Sequence, residues 1–187
     1  MKDKIIGESI KLFERKGFSA TSIQDIVDAI GVTKGTFYYY YPSKEQLLMD
    51  IHNDYITTLL KRQNSIVEKR HLSQKEKLTA IIQLLIMDVA EQGPHARVFF
   101  REMRHLTDEN VEKIKMIRKQ FFINVRTVIQ EGINQGEFKK TNHPDMLAYG
   151  VVGITNWSYN WYNPEGVVSP SELAKIYTNM ILNGIEN

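Results

Sequence analysis

Apolar residues recur at three- and four-residue spacing along almost the whole chain, and no stretch alternates apolar with polar residues long enough to make a strand. That period belongs to α-helices with one buried face. Ile6, Ile10 and Phe13 share a face, and Gly17 follows as a stop. A second segment opens with Thr21 and Gln24 in capping-box spacing, carries Ile23, Ile26, Val27 and Ile30, and ends at Gly31. A third begins at Thr33 as N-cap and must stop by Tyr41, because Pro42 disfavours helix in the residue before it. Ser43 and Gln46 repeat the capping pattern. Leu47, Ile51, Tyr55 and Leu59 then sit four apart, so the fourth helix is long, from Ser43 to about Gln63.

Further on, Ser73 and Glu76 open a helix with Leu78, Ile81, Ile82, Leu85 and Val89, which Gly93-Pro94 breaks. A short segment covers 95–105. Thr107-Asp108 opens a long helix that ends near Gly136. Asn142-His143-Pro144 starts another, ended by Asn163-Pro164, and Ser169-Pro170-Ser171-Glu172 caps the last. Gly166-Val167-Val168-Ser169 is too short for a strand. The expected fold is all-α with about nine helices. Short helices crowd the first 42 residues and long ones follow, which divides the chain into an N-terminal domain, 1–46, and a larger helical body, 47–187.

Composition narrows the function. The chain has 187 residues, 42% of them hydrophobic and 25% charged, enough to bury a core without staples. No cysteine is present, which excludes disulfides, thiolate metal sites and a cysteine nucleophile. The five histidines show neither H-x-x-x-H nor H-E-x-x-H spacing, and there is no P-loop and no G-x-S-x-G. The expectation is therefore no enzyme, no metal and no cofactor. No apolar run reaches membrane-spanning length, and Met1–Lys4 lead directly into a helical segment without a signal-peptide core. The expected location is the cytoplasm, without membrane partners. The net charge of +2 announces no nucleic-acid partner by itself.

The stretch from Thr21 to Lys44, TSIQDIVDAIGVTKGTFYYYYPSK, is more specific. Two short helices flank a tight turn at Gly31-Val32-Thr33, the layout of a helix-turn-helix whose second helix enters a DNA major groove. Thr33, Lys34, Gly35 and Thr36 form that helix's first turn, the end that meets base edges. Lys34 reaches guanine acceptors or a phosphate, Gly35 lets the backbone approach closely, and Thr36 offers a methyl or a hydroxyl. Tyr38, Tyr39 and Tyr40 follow in a row and span about 200° of the helix, so at least one phenol points outward. Lys44, at the start of the next helix, is placed to share a phosphate with backbone N–H groups. Each residue alone is more often core or solvated surface. The combination favours DNA.

These residues resemble the DNA-binding domain of the TetR family of bacterial transcriptional repressors. The likeness runs over residues 5–50 through Ile5-Ile6, Phe13, Gly17-Phe18, Thr21, Ile23–Ile26, Ala29, Gly31-Val32, Lys34–Tyr38, Tyr41 and Ser43–Glu45. It implies an all-α homodimer with a three-helix DNA domain, a ligand pocket in the body, and a four-helix interface made by the last two helices of each chain. Carried over, Lys34, Gly35, Thr36, Tyr38 and Tyr39 meet bases or neighbouring backbone, Tyr40 and Lys44 clamp phosphates, and Thr33 caps the recognition helix. The family commonly has His where this chain has Tyr40 and Phe where it has Tyr41.

In the body, Trp157, Tyr159, Trp161 and Tyr162 are packed more densely than a small helical core needs, and Phe100, Met103, Phe121, Phe122, Trp157 and Trp161 are expected to line a pocket. Arg97, Arg101 and Arg104 lie at i, i+4 and i+7, either as a solvated face paired with Glu102 or Glu109 or as the holder of an anionic headgroup at a pocket mouth. An apolar cavity with an arginine stripe suits an amphipathic anion such as a fatty acid or acyl-CoA. The stretches Phe100–Arg104 and Asn156-Trp157 with Trp161-Tyr162 also resemble repressors of fatty-acid and sterol breakdown, which answer to acyl-CoA thioesters. Gly150, Val151, Ile154, Ile176, Met180 and Ile181 are the expected dimer seam. The resulting expectation is a repressor that binds palindromic operator DNA as a homodimer and is released by a small effector. The alternatives are a sensor of multidrug-type or other hydrophobic compounds on the same fold and, more remotely, a helical protein-interaction module without DNA affinity.

Overall fold

The computed structural model describes residues 1–140 and 143–185. Among these it contains nine α-helices and no β-strand: α1 Lys2–Lys16, α2 Ile23–Ile30, α3 Lys34–Tyr40, α4 Lys44–Val67, α5 Gln74–Glu91, α6 Gly93–Glu102, α7 Asp108–Asn134, α8 Pro144–Trp157 and α9 Pro170–Ile185. Single 3-10 turns follow α6, at Met103–His105, and α8, at Ser158–Asn160. None of the helices is long and apolar enough to cross a membrane. The chain packs into two compact units, Met1–Thr57 with Pro94–Met116, and Thr58–Gly93 with Ile117–Asn187. α6 and the start of α7 belong to the first unit with α1, α2 and α3.

The local signals explain most helix ends. Gly31 takes the left-handed conformation, φ 70° and ψ 38°, which permits the tight turn between α2 and α3. The capping box of α5 forms as expected on Ser73 and Glu76. That of α2 is shifted by one residue from the Thr21/Gln24 reading: Ser22 Oγ accepts from Asp25 N–H at 3.0 Å, and the Asp25 carboxylate accepts from Ser22 N–H at 2.7 Å. Those bonds hold the Asp25 carboxyl at about 2. Thr21 is buried instead, its hydroxyl donating to Gly17 O at 2.8 Å. α8 stops at Trp157, before the expected Asn163-Pro164. Its start is Pro144, and Asn142 of the expected start lies outside the described residues.

In the first unit, Ile5, Ile10 and Phe13 of α1, Ile26 and Val27 of α2 and Phe37 of α3 are buried with Leu47, Leu48 and Ile51 of α4. α6 is tied into this unit by polar bonds. Arg97 Nε donates to Glu14 Oε1 at 2.8 Å. His52 of α4 is fully buried, with Nδ1 2.9 Å from Leu48 O and Nε2 3.1 Å from Phe99 O. In the second unit α5 packs on α8 and α9, around Ile86, Val89, Tyr162, Leu173 and Ala174. Glu137 caps α5 from outside it, accepting from Gln74 N–H at 3.0 Å and Lys75 N–H at 2.8 Å.

Candidate nucleic-acid interface

The recognition helix α3 is oriented by one residue. Phe37 is fully buried and turns its side of the helix inward. At about 100° per residue the opposite side carries Gly35 and Tyr39, flanked by Lys34 and Tyr38 on one edge and Thr36 and Tyr40 on the other. Burial follows this wheel: Tyr39 is 82% exposed, Tyr38 53% and Tyr40 36%. Tyr38 meets the Phe37 ring edge-on at 5.6 Å, and Tyr39 and Tyr40 meet edge-on at 4.9 Å. Thr33 is the N-cap, its Oγ1 accepting from Thr36 N–H at 3.3 Å and lying 3.2 Å from Thr36 Oγ1. Among the described residues no carboxylate pairs with Lys34. A Cβ at Gly35 would meet only Thr33 Oγ1, at 3.5 Å, so the chain's own packing does not demand glycine there.

Tyr41 closes the helix from within, buried with no hydrogen-bond partner for its hydroxyl among the described residues. Burial first, then Asp50, Asp3 and Asp54, push that phenol up to about 12. Lys44, expected to clamp a phosphate, is also bonded inside the unit. Its Nζ donates to Phe18 O at 2.7 Å and Thr21 O at 2.6 Å and sits 4.3 Å from the Phe18 ring centroid. Two of its three donors are thereby engaged within the unit, and burial lowers its pKa.

The residues expected around a ligand are divided. Arg97, Phe100, Arg101, Met103 and Arg104 belong to the first unit, and Phe121, Phe122, Trp157 and Trp161 to the second. Arg97 is occupied by Glu14, while Arg101 and Arg104 are exposed. The three do not form one α-helical face, because α6 ends at Glu102 and Arg104 lies in the 3-10 turn. Phe100 and Met103 are half-buried, and Phe100 meets the Phe99 ring edge-on at 5.2 Å. Phe121 is core, and Phe122 meets the Tyr149 ring at a tilt of 34° with centroids 4.3 Å apart. Trp157 and Trp161 are 65% and 53% exposed, so neither is enclosed by its own chain.

The expected seam also separates. Ile176 and Met180 of α9 are exposed, and Gly150 of α8 faces open space. Ile154 and Ile181 are half-buried. Val151 is 2% exposed and packs within its own chain. Sequence reading missed Met146 and Tyr149, which are exposed on α8 at helical spacing with Gly150, Gly153 and Trp157. The signal was present as 146, 149, 153, 157.

Residues 5–51 match the family described as bacterial regulatory proteins, tetR family, and residues 71–185 match the family described as tetracyclin repressor-like, C-terminal domain. KstR2 of Mycolicibacterium smegmatis, an HTH-type transcriptional repressor, is 26% identical over 192 residues, 98% of this chain and 90% of that protein. The solved structure of PfmR, a TetR family transcriptional regulator from Thermus thermophilus, has a TM-score of 0.90 at 28% identity, over 98% of this chain and 99% of its own. That of AibR in complex with isovaleryl coenzyme A and operator DNA has a TM-score of 0.86 at 24% identity, over 96% of each chain. The families and the named relatives are transcriptional regulators, not enzymes.

Proposed function

The chain belongs to the tetR family of bacterial regulatory proteins, and on that premise we propose that it is a cytoplasmic repressor that binds a palindromic operator as a homodimer and is released by an amphipathic acyl thioester. The outward face of α3 carries this reading. Phe37 holds the helix, and Lys34, Gly35, Thr36, Tyr38 and Tyr39 are left to the groove, with Tyr40 at its edge for a phosphate. Residues 1–46 act as the DNA-binding domain and residues 47–187 as the sensing and dimerising body. Thr33 serves by capping α3, and Lys44 by bracing the loop before α2.

The homodimer is supported by the bare stripe of Met146, Tyr149, Gly150, Gly153, Trp157 and Trp161 together with Ile176 and Met180. Gly150, Gly153 and Gly184 have nothing within 4 Å of a built Cβ. Helix-interior glycine costs about 1 kcal/mol against alanine, and close approach of a second chain gives it a reason. For the effector, AibR binds isovaleryl coenzyme A, and Arg101 and Arg104 offer exposed cations for a thioester's anionic headgroup.

Selection of bound sequences from random duplex DNA is the first test, and a palindromic product is expected. Adding a series of acyl-CoA thioesters to the selected complex should release the DNA at one range of chain lengths, while free coenzyme A and a neutral hydrophobic dye should not. Release by the dye alone would replace the acyl thioester with a hydrophobic-compound effector. No enriched duplex would remove the repressor reading.

A further inference from the structure

We infer that α3 reads its half-site through guanine and thymine edges, with Lys34 on guanine and the Thr36 methyl and tyrosine rings on thymine methyl groups. This inference rests on the DNA-binding reading above and names the base chemistry it uses. It follows from what the outward face of α3 holds and what it lacks. The helix is Lys-Gly-Thr-Phe-Tyr-Tyr-Tyr, with Thr33 before it and Tyr41 after it. It contains no carboxylate and no carboxamide. In the major groove the cytosine N4 and adenine N6 amino groups are donors, and the side chains that read them strongly are carboxylates and carboxamides. The acidic and amide side chains of neighbouring α2 have partners within the chain, Asp25 also pairing with Lys16 of α1 at 3.4 Å. Asp25 closes the cap on Ser22, and Gln24 Nε2 donates to Asp28 Oδ1 at 2.6 Å.

What remains is one strong donor and several apolar surfaces. Lys34 is exposed beside Gly35, where the missing side chain brings the helix backbone nearest the groove floor. Its ammonium has three donors and no acceptor, which suits guanine O6 and N7. Thr36 shares its hydroxyl with Thr33 across 3.2 Å, and its methyl is the apolar group it offers a base. Tyr39 and Tyr38 present exposed rings at the next turn. Guanine acceptors and thymine methyls are the base groups that match this set.

The test uses the full-length protein and the duplex obtained by selection, modified one position at a time. Replacing guanine with 7-deazaguanine removes the N7 acceptor and should weaken binding about tenfold at one position per half-site. Lys34→Ala should bind the modified and unmodified duplexes equally. Replacing thymine with deoxyuridine removes only the methyl group, and the loss at one position should vanish in Thr36→Ser, which lacks the same partner methyl. Replacing adenine with 2-aminopurine removes the N6 donor and should leave affinity within about twofold. An adenine replacement as costly as the guanine one, or a Lys34→Ala protein that still discriminates 7-deazaguanine, overturns the inference. If selection enriches no duplex, the repressor reading and this inference fall together. Thermal melting of both variants should match the parent, since Lys34 is exposed and Thr36→Ser keeps the hydroxyl that meets Thr33.

Discussion

Lys44 and His52 show how distant backbone carbonyls engage a single side chain. Lys44 stands where a phosphate clamp is expected, yet it is held by the carbonyls of Phe18 and Thr21. Lys44→Met should therefore lower stability by about 1–3 kcal/mol, read from urea midpoints, and leave the salt slope of operator binding unchanged. A slope smaller by about one would restore the phosphate role. His52 lies between two carbonyl oxygens, each of which favours imidazolium, but burial dominates and pushes its pKa down from 6.5 to about 4. The unfolded chain then binds the proton first. The neutral ring's contribution is complete above 6.5 and is lost as the pH falls through about 4. Unfolding midpoints measured from pH 7 to pH 4 should fall by more in the parent than in His52→Gln, with up to about 3 kcal/mol at stake.

At the scale of elements, caps and turn residues do much of the positioning, and they are read from short sequence patterns. α3 exists as an independent seven-residue helix because Gly31 turns the chain, Thr33 caps the start and Pro42 forbids continuation. Other joints need residues far apart in sequence. Glu137 caps α5 across more than sixty positions. Just before it, Gly132 of α7 lies directly beneath the buried Phe138 ring, and a Cβ built at 132 would overlap that ring. Gly132→Ala should lose about 1–3 kcal/mol despite alanine's better helix propensity. Scanning calorimetry of Gly132→Ala with and without Phe138→Leu separates the two effects: the smaller side chain should recover part of the loss.

For the whole molecule, the decisive feature is the apolar stripe left uncovered on α8 and α9. Trp157, Met146 and Tyr149 are more than half exposed, a poor arrangement for an isolated soluble chain and a good one for an isologous pair. Trp157→Glu combined with Met180→Glu should give a folded monomer in sedimentation velocity. Its operator affinity should drop by about two to four orders of magnitude, because each half-site is then bound without the help of the other. A double variant that remains dimeric places the interface elsewhere.

The helices, their order, the turn geometry around Gly31 and at least one outward tyrosine on α3 were legible in the sequence. Period, caps and breakers act within a few residues of one another, so the linear order contains their causes. Three matters were decided only in three dimensions. The Lys44 ammonium met carbonyls 23 and 26 residues earlier in the chain. Arg97 found Glu14, and its stripe ended where α6 gave way to a tighter turn. Val151 turned inward while Trp157 and Trp161 turned out. Side-chain chemistry states what a residue can bond to, but which partner lies within hydrogen-bonding reach depends on how distant segments pack, and no local pattern records that.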